Sequence, residues 1–256
     1  MGEKRQPVVF VGHGSPLNAI ADNDIRRGWQ EMGKRLGKPR AIVAVSAHWF
    51  THGRWVRTAA HNPQVNDMYG FPDELYAVHY APDGAPDVAA RALDLLGDAA
   101  TGTESWGVDH GVWSVLCNMY PKADVPVVMV SCDGDAAPEV HLEVGRRLSA
   151  LRDEGVMIVA SGNVVHNLRA VDWDKSDGFA WANDFDDRVR DLILARDFDS
   201  VVRYTQLAGW QRAIPTPDHF LPLLTALGAA RDDDEVVVWN QIRELGSMSQ
   251  TSYLFR

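Results

Sequence analysis

Three histidines in this chain each stand where a run of apolar residues gives out: His13 after PVVFVG, His48 after AIVAVSA and His166 after VMIVASGNVV. Imidazole is the commonest protein ligand for transition metals and the side chain best suited to moving protons near neutral pH. A fourth, His219, lies in PTPDHFLPLL. Apolar, β-branched runs of this length read as buried strands, and an open α/β sheet gathers its ligand groups at the carboxyl ends of strands. Imidazoles delivered to one sheet edge make a metal site the leading reading.

Each histidine has a competing reading. His13 sits in GHGSP, where Gly12 and Gly14 allow a sharp turn. A phosphate-binding loop is the alternative, but the spacing matches neither GxGxxG nor a Walker motif. His48, in SAHWF, is either a ligand or a satisfied core histidine. His166, in SGNVVHNL, follows a Ser161-Gly162-Asn163 turn and is either a site residue or a loop histidine. For His219, Thr216 reads as an N-cap and Pro217 as the first helical residue. That places His219 in a first turn, where the helix dipole favours a neutral, metal-ready imidazole. His110, in WGVDHGVW, precedes a helix. Asp109 either orients it or caps that helix, and an acid/base role is open to it. His52, His61, His79 and His141 have weaker contexts, and His141 reads as a surface residue. An all-imidazole set suits Zn, Fe, Cu or Ni better than Mg or Ca. Zinc would imply hydrolysis and iron(II) O₂ chemistry. Trp49, Phe50, Tyr69, Phe71, Trp106 and Trp113 are expected around the mouth, where they would suit a flat aromatic substrate.

The elements that must position these residues follow from periodicity. Strands are expected at 7–12, 40–46, 54–60, 99–103, 126–132, 156–161, 235–239 and 250–256. Helices are expected at 23–36 (capped by Asp22 or Asn23), 86–97, 111–120, 138–153, 181–196, 199–207 and 217–229. Segment 61–85 is rich in Pro, Gly and Tyr and reads as a long functional loop. Alternation of strand and helix through residue 161 predicts an α/β fold: a mostly parallel central sheet flanked by helices, with antiparallel strands at the edge. No linker divides residues 1–256, so one domain is expected.

The bulk numbers narrow the partners. With 256 residues and 46% hydrophobic content, the chain can bury a full core. A formal net charge of −10 argues against nucleic acid or an anionic membrane surface. The run Arg231 to Glu235 reads as a solvated loop. Cys117 and Cys132 form no CxxC and read as buried thiols in a reducing, cytoplasmic setting. No signal peptide or membrane-spanning stretch is expected, and Met1-Gly2-Glu3 lacks a myristoylation signal. A monomer or small homo-oligomer is expected.

Six motifs, in order, resemble one family: GHGSPLNAI, VSAHWFT, YGFPDELY, WGVDHGVWSVL, ASGNVVHNLR and PTPDHFLPLL. Together they are similar to the DODA-type extradiol aromatic ring-opening dioxygenases, within the class III (protocatechuate 4,5-dioxygenase β-subunit-like) superfamily. The resemblance runs from about residue 8 to 225. It implies one non-haem metal per chain, Fe(II) or Zn(II), with His13, His48 and His219 as ligands. It implies His166 as a further ligand or the acid/base, and His110 in contact with substrate or O₂. The implied reaction inserts O₂ beside the diol of a DOPA- or caffeate-like catechol to give a semialdehyde. A zinc-dependent hydrolase on the same scaffold is the alternative. The wider superfamily uses two histidines and a carboxylate; here His219 stands in the third position. The segment VDWDKSDGFAW after His166 also departs from the plant betalain-forming enzymes.

Overall fold

The computed structural model describes residues 5–256. The lipidation motif considered above, Met1-Gly2-Glu3, lies outside them. Among the described residues the strands are β1 Val8–Gly12, β2 Ala41–Thr51, β3 Trp55–Arg57, β4 Thr101–Thr103, β5 Val127–Asp133, β6 Val156–Gly162, β7 Val236–Trp239, β8 Arg243–Glu244, β9 Met248–Ser249 and β10 Ser252–Phe255. The helices are α1 Asp24–Leu36, α2 Asp73–Tyr76, α3 Pro86–Leu96, α4 His110–Met119, α5 Pro138–Leu148, α6 Ala180–Leu194, α7 Phe198–Val202, α8 Trp210–Ala213 and α9 Leu221–Ala229. β8 and β9 pair with each other, and the other eight strands form one sheet in the order β4-β3-β5-β2-β6-β1-β10-β7.

The sheet's centre is parallel: β5, β2, β6 and β1 run side by side in one direction. β10 joins β1 and β7 antiparallel, as expected for the last strands, and β3 meets β5 antiparallel. Period-two alternation splits the core between two faces. Val8 and Phe10 of β1, with Val43 and Val45 of β2, pack toward α3, α5 and α9. Val9 and Val11, with Ile42 and Ala44, pack toward α1 and α4. Strands covered on both faces read as unbroken apolar runs, which is why these were visible in the sequence. α5 and α9 touch backbone to backbone: a Cβ on Gly145 would lie 2.0 Å from Thr225 O, and one on Gly228 1.9 Å from Leu142 O.

Several expectations need correction. α9 begins at Leu221, not 217. Pro215 to Phe220 instead makes turns, so Thr216 caps nothing and His219 lies two residues ahead of the helix. β2 does not stop before His48 but runs to Thr51, and its pairing with β5 jumps from Ser46–Ser131 to Phe50–Cys132. The extra residues 47–49 form a bulge, which re-aims side chains. α5 ends at Leu148 and continues as a 3-10 segment, Ser149–Glu154. The 199–207 helix breaks into α7 and a 3-10 turn at Tyr204–Gln206.

Two polar residues lie deeper than their sequence context suggests. His141 is buried, not on the surface, with Nδ1 3.3 Å from the Arg54 guanidinium and Nε2 3.1 Å from Asp133 O. Asp234, inside the supposedly solvated 231–235 run, is fully buried in an ion pair with Arg152 at 2.7 Å. No helix among the described residues is long and apolar enough to cross a membrane.

Candidate metal centre and cleft

Five histidines from five stretches of chain meet at the carboxyl edge of the parallel strands. His13 follows β1, His48 rides the bulge of β2, and His166 lies beyond β6. His110 opens α4, and His219 precedes α9. Ring centroids of His13 and His48 are 5.0 Å apart, His13 and His219 5.2 Å, and His48 and His219 5.0 Å. The triangle is nearly equilateral. His110 lies 3.9 Å from His48 and 5.8 Å from His13. His166 stacks on His219 at 3.6 Å with an interplanar angle of 4°.

The second nitrogen of four of these rings is committed to an acceptor. Ser161 Oγ donates to Gly111 O, so it accepts from His13 Nδ1 at 2.9 Å. One carboxylate serves two rings: Asp67 Oδ1 accepts from His110 Nδ1 at 2.9 Å, and Asp67 Oδ2 lies 3.2 Å from His48 Nδ1. Asp218 Oδ2 accepts from His219 Nδ1. Each partner holds the proton on Nδ1 and leaves Nε2 as a lone pair, the tautomer used by metal-bound histidine. His166 differs, since neither of its ring nitrogens has a hydrogen-bond partner among the described residues.

Electrostatics follow from burial and these partners. Burial pushes the imidazole of His13 well below its ordinary pKa, and the neighbouring rings push it the same way. Burial lowers His219 despite Asp218, and lowers His166 to about 2. At His48 burial is outweighed by the hydrogen bond to Asp67 and by the charge of Asp109, and its pKa rises. Asp67 and Asp218 both resist burial and fall below the carboxylate range because of the histidines they hold.

These residues fit a metal. His13 Nε2 and His48 Nε2 face each other at 3.1 Å. With both Nδ1 positions committed, two lone pairs at that distance need a positive charge between them, either a proton or a metal ion. The separation is under twice the ~2.1 Å bond from imidazole nitrogen to a transition metal, so one ion reaches both. Nitrogens of His13, His48 and His110 all lie within 4.8 Å of one another. Gly111 keeps the space open, because a Cβ there would come 2.8 Å from His48 Cδ2.

The rings floor a cleft of about 370 Å³ whose walls include Leu17, Met68, Phe71, Leu168, Trp173 and Met248. Of the six aromatics expected at the mouth, only Phe71 lines it. Trp113 is core, Trp49 is buried and stacks on Trp106 at 6.4 Å, while Phe50 and Tyr69 point to solvent. Trp173 does line the cleft; it lies in the polar stretch VDWDKSDG, where nothing in the pattern marks it. Asp67 was equally hidden, in a loop more than forty residues from His110. Asp109 neither orients His110 nor caps α4 with its side chain. It is buried, accepting from Ser46 Oγ at 2.7 Å and Trp106 Nε1 at 3.0 Å. With no helix at 217–220, Asp218 reaches the ring of its neighbour His219 directly.

Comparison with known proteins agrees with this geometry. Residues 8–256 match the family described as the catalytic LigB subunit of aromatic ring-opening dioxygenase. The chain is 43% identical to the 4,5-DOPA dioxygenase extradiol of Escherichia coli K12, over 98% of this chain and 95% of that one. It is 35% identical to the protein of the same name from Beta vulgaris, over 96% and 95%. A crystal structure of an uncharacterised E. coli K12 protein superposes with a TM-score of 0.86 at 41% identity, covering 98% of this chain and all of that one. With these relatives the hydrolase alternative gives way. The chain belongs to the LigB family of aromatic ring-opening dioxygenases, among its DODA-type extradiol enzymes.

Proposed function

We propose that this chain opens a catechol ring beside its diol, using O₂ and a divalent metal, Fe(II) in this reading, held by His13, His48 and His219. The near-equilateral triangle of these three rings, floored in an apolar cleft, carries the proposal. The whole chain, residues 1–256, acts as one catalytic unit, and a cytosolic setting suits its two free thiols.

A metal held by His13, His48 and His219 would give diol and O₂ a common meeting point and would acidify the hydroxyl beside it. The chain's own groups handle the protons. His166, with both ring nitrogens uncommitted, takes the proton of the second hydroxyl. His110, fixed through Nδ1 by Asp67, presents its other nitrogen to the cleft, where it can hold a proton and return it to the substrate. Phe71, Met68 and Leu17 hold the ring flat and exclude water. Both oxygen atoms end in the product, a hydroxymuconic semialdehyde, so no external reductant is needed.

His166→Ala tests the assignment. Metal content should stay near that of the unaltered protein while turnover falls by about 10²–10⁴-fold, the range for losing a proton-transfer group. Loss of the metal instead would make His166 a ligand and leave His110 as the base. His110 also competes for the ligand set by nitrogen distance, although its ring crowds His48 at 3.9 Å. Metal content after His110→Ala and after His219→Ala separates these two: only the second should empty the site.

A further inference from the structure

The walls of the cleft carry one charged side chain outside the histidine cluster and its carboxylates. That residue is Glu244, and among the described residues no lysine or arginine lines the cavity. Its position is set by strand pairing. Glu244 of β8 lies opposite Met248 of β9, and Met248 lies opposite His166 on its other side. Directly paired residues project from the same face, and all three side chains line the cleft as a row. Two strand spacings put the backbone of Glu244 about 10 Å from that of His166. That span fits a catechol with a two-carbon side chain, its diol over the histidines and its tail toward Glu244.

The carboxylate is free to receive that tail. Gln250 Nε2 donates to Glu244 Oε1 at 2.8 Å and fixes the group. No cation among the described residues lies within ion-pair distance of it, and its neighbour Arg243 is engaged elsewhere, by Asp186 at 2.8 Å and by Asp187. Half-burial raises its pKa, and the hydrogen bond from Gln250 opposes that rise. Trp173 lines the same cleft, and Asp172 N donates to Leu245 O at 3.0 Å, tying its loop to the residue that follows Glu244. Carboxylates and aromatic rings are both recognition groups for ammonium ions. The net charge of −10 steers in the same direction, toward cations and away from carboxylates.

We propose that the cleft selects a catechol whose side chain ends in an ammonium group, and that Glu244 is the specificity-determining residue. The proposal rests on the ring-cleavage reading only for the diol end of the substrate. Three probes of matched length test it: dopamine (cationic tail), 4-ethylcatechol (neutral) and dihydrocaffeate (anionic). Anaerobic calorimetry on the Fe(II)-loaded protein should give affinities in that order, with dopamine about tenfold tighter than 4-ethylcatechol. Glu244→Gln, near-isosteric, should bring the dopamine-to-4-ethylcatechol ratio close to one. Dihydrocaffeate binding as well as dopamine in the unaltered protein overturns the proposal, and so does a ratio that ignores Glu244→Gln. If the order holds but O₂ opens none of the three rings, charge selection stands and ring cleavage falls. Binding of none of them removes both.

Discussion

Two kinds of buried histidine lie within this one sheet. His141 is almost fully buried, and the protein satisfies both of its nitrogens: Arg54 donates to one and a backbone carbonyl accepts from the other. His13 is just as buried, but only Nδ1 is satisfied, and Nε2 faces another imidazole at 3.1 Å. Burial therefore does not distinguish a structural histidine from a functional one. The distinction is whether the fold completes the hydrogen bonding or leaves a lone pair aimed at a shared point, which costs free energy unless a ligand is bound there.

The largest test of this contrast is His13→Ala. It removes an aimed lone pair and should weaken metal binding by about 10³-fold, roughly 4 kcal/mol, with ring opening lost alongside. Metal content after dialysis and O₂ uptake measure it. Retained metal would show that His13 resembles His141 after all.

The next test acts on the satisfied histidine. Burial, aided by the charge of Arg54, pushes the His141 pKa down to about 4, against about 6.5 in an unfolded chain. Between these values the unfolded chain binds a proton that the folded chain refuses. Stability contributed by this group is therefore intact above about pH 6.5 and is lost as the pH falls toward 4, by roughly 3 kcal/mol in all. His141→Gln retains an acceptor for Arg54 and a donor for Asp133 O but cannot titrate. Its urea midpoint should fall less than that of the unaltered protein between pH 7 and pH 4.5, with metal affinity unchanged. Equal slopes would remove His141 as a source of acid sensitivity.

A smaller effect sharpens the role of the supporting shell. Asp67→Asn places an amide N–H against one of two imidazole N–H groups, so His48 and His110 cannot both keep their orientation. Metal affinity should drop about 10–100-fold, the usual range for an outer partner of a ligating histidine. Titration with a competing chelator reads this out, and an unchanged affinity would mean that the two rings are held by packing alone.

How much of this was legible in the sequence depended on locality. β1 and β6 show as apolar runs because both faces are covered, and His13 and His166 show because they follow those runs directly. His48 was legible as a residue but not in its setting: a bulge leaves no mark in AIVAVSAHWFT, so a strand end was expected where the strand continues. Pro215-Thr216-Pro217 carries helix-start chemistry, yet Phe220 N and Leu221 N bond back to Pro217 O in a turn that delays α9. Asp67 and Glu244 act through partners that only the fold brings near, by loop closure and by a two-residue ribbon too short for any periodicity to reveal. Trp113 misled in the opposite sense, since an aromatic beside a site histidine is still core by default.

The glycine contact between α5 and α9 exposes the histidine floor of the cleft to damage from the far side of the molecule. α9 starts two residues after His219, so whatever moves this helix drags the imidazole with it. A single methyl at position 145 or 228 would wedge the pair apart. Inactivating lesions collected in a random screen should thus cluster at two spots, one facing the substrate and one on the outer helical layer, where a sequence change touches no ligand and still unseats the ion.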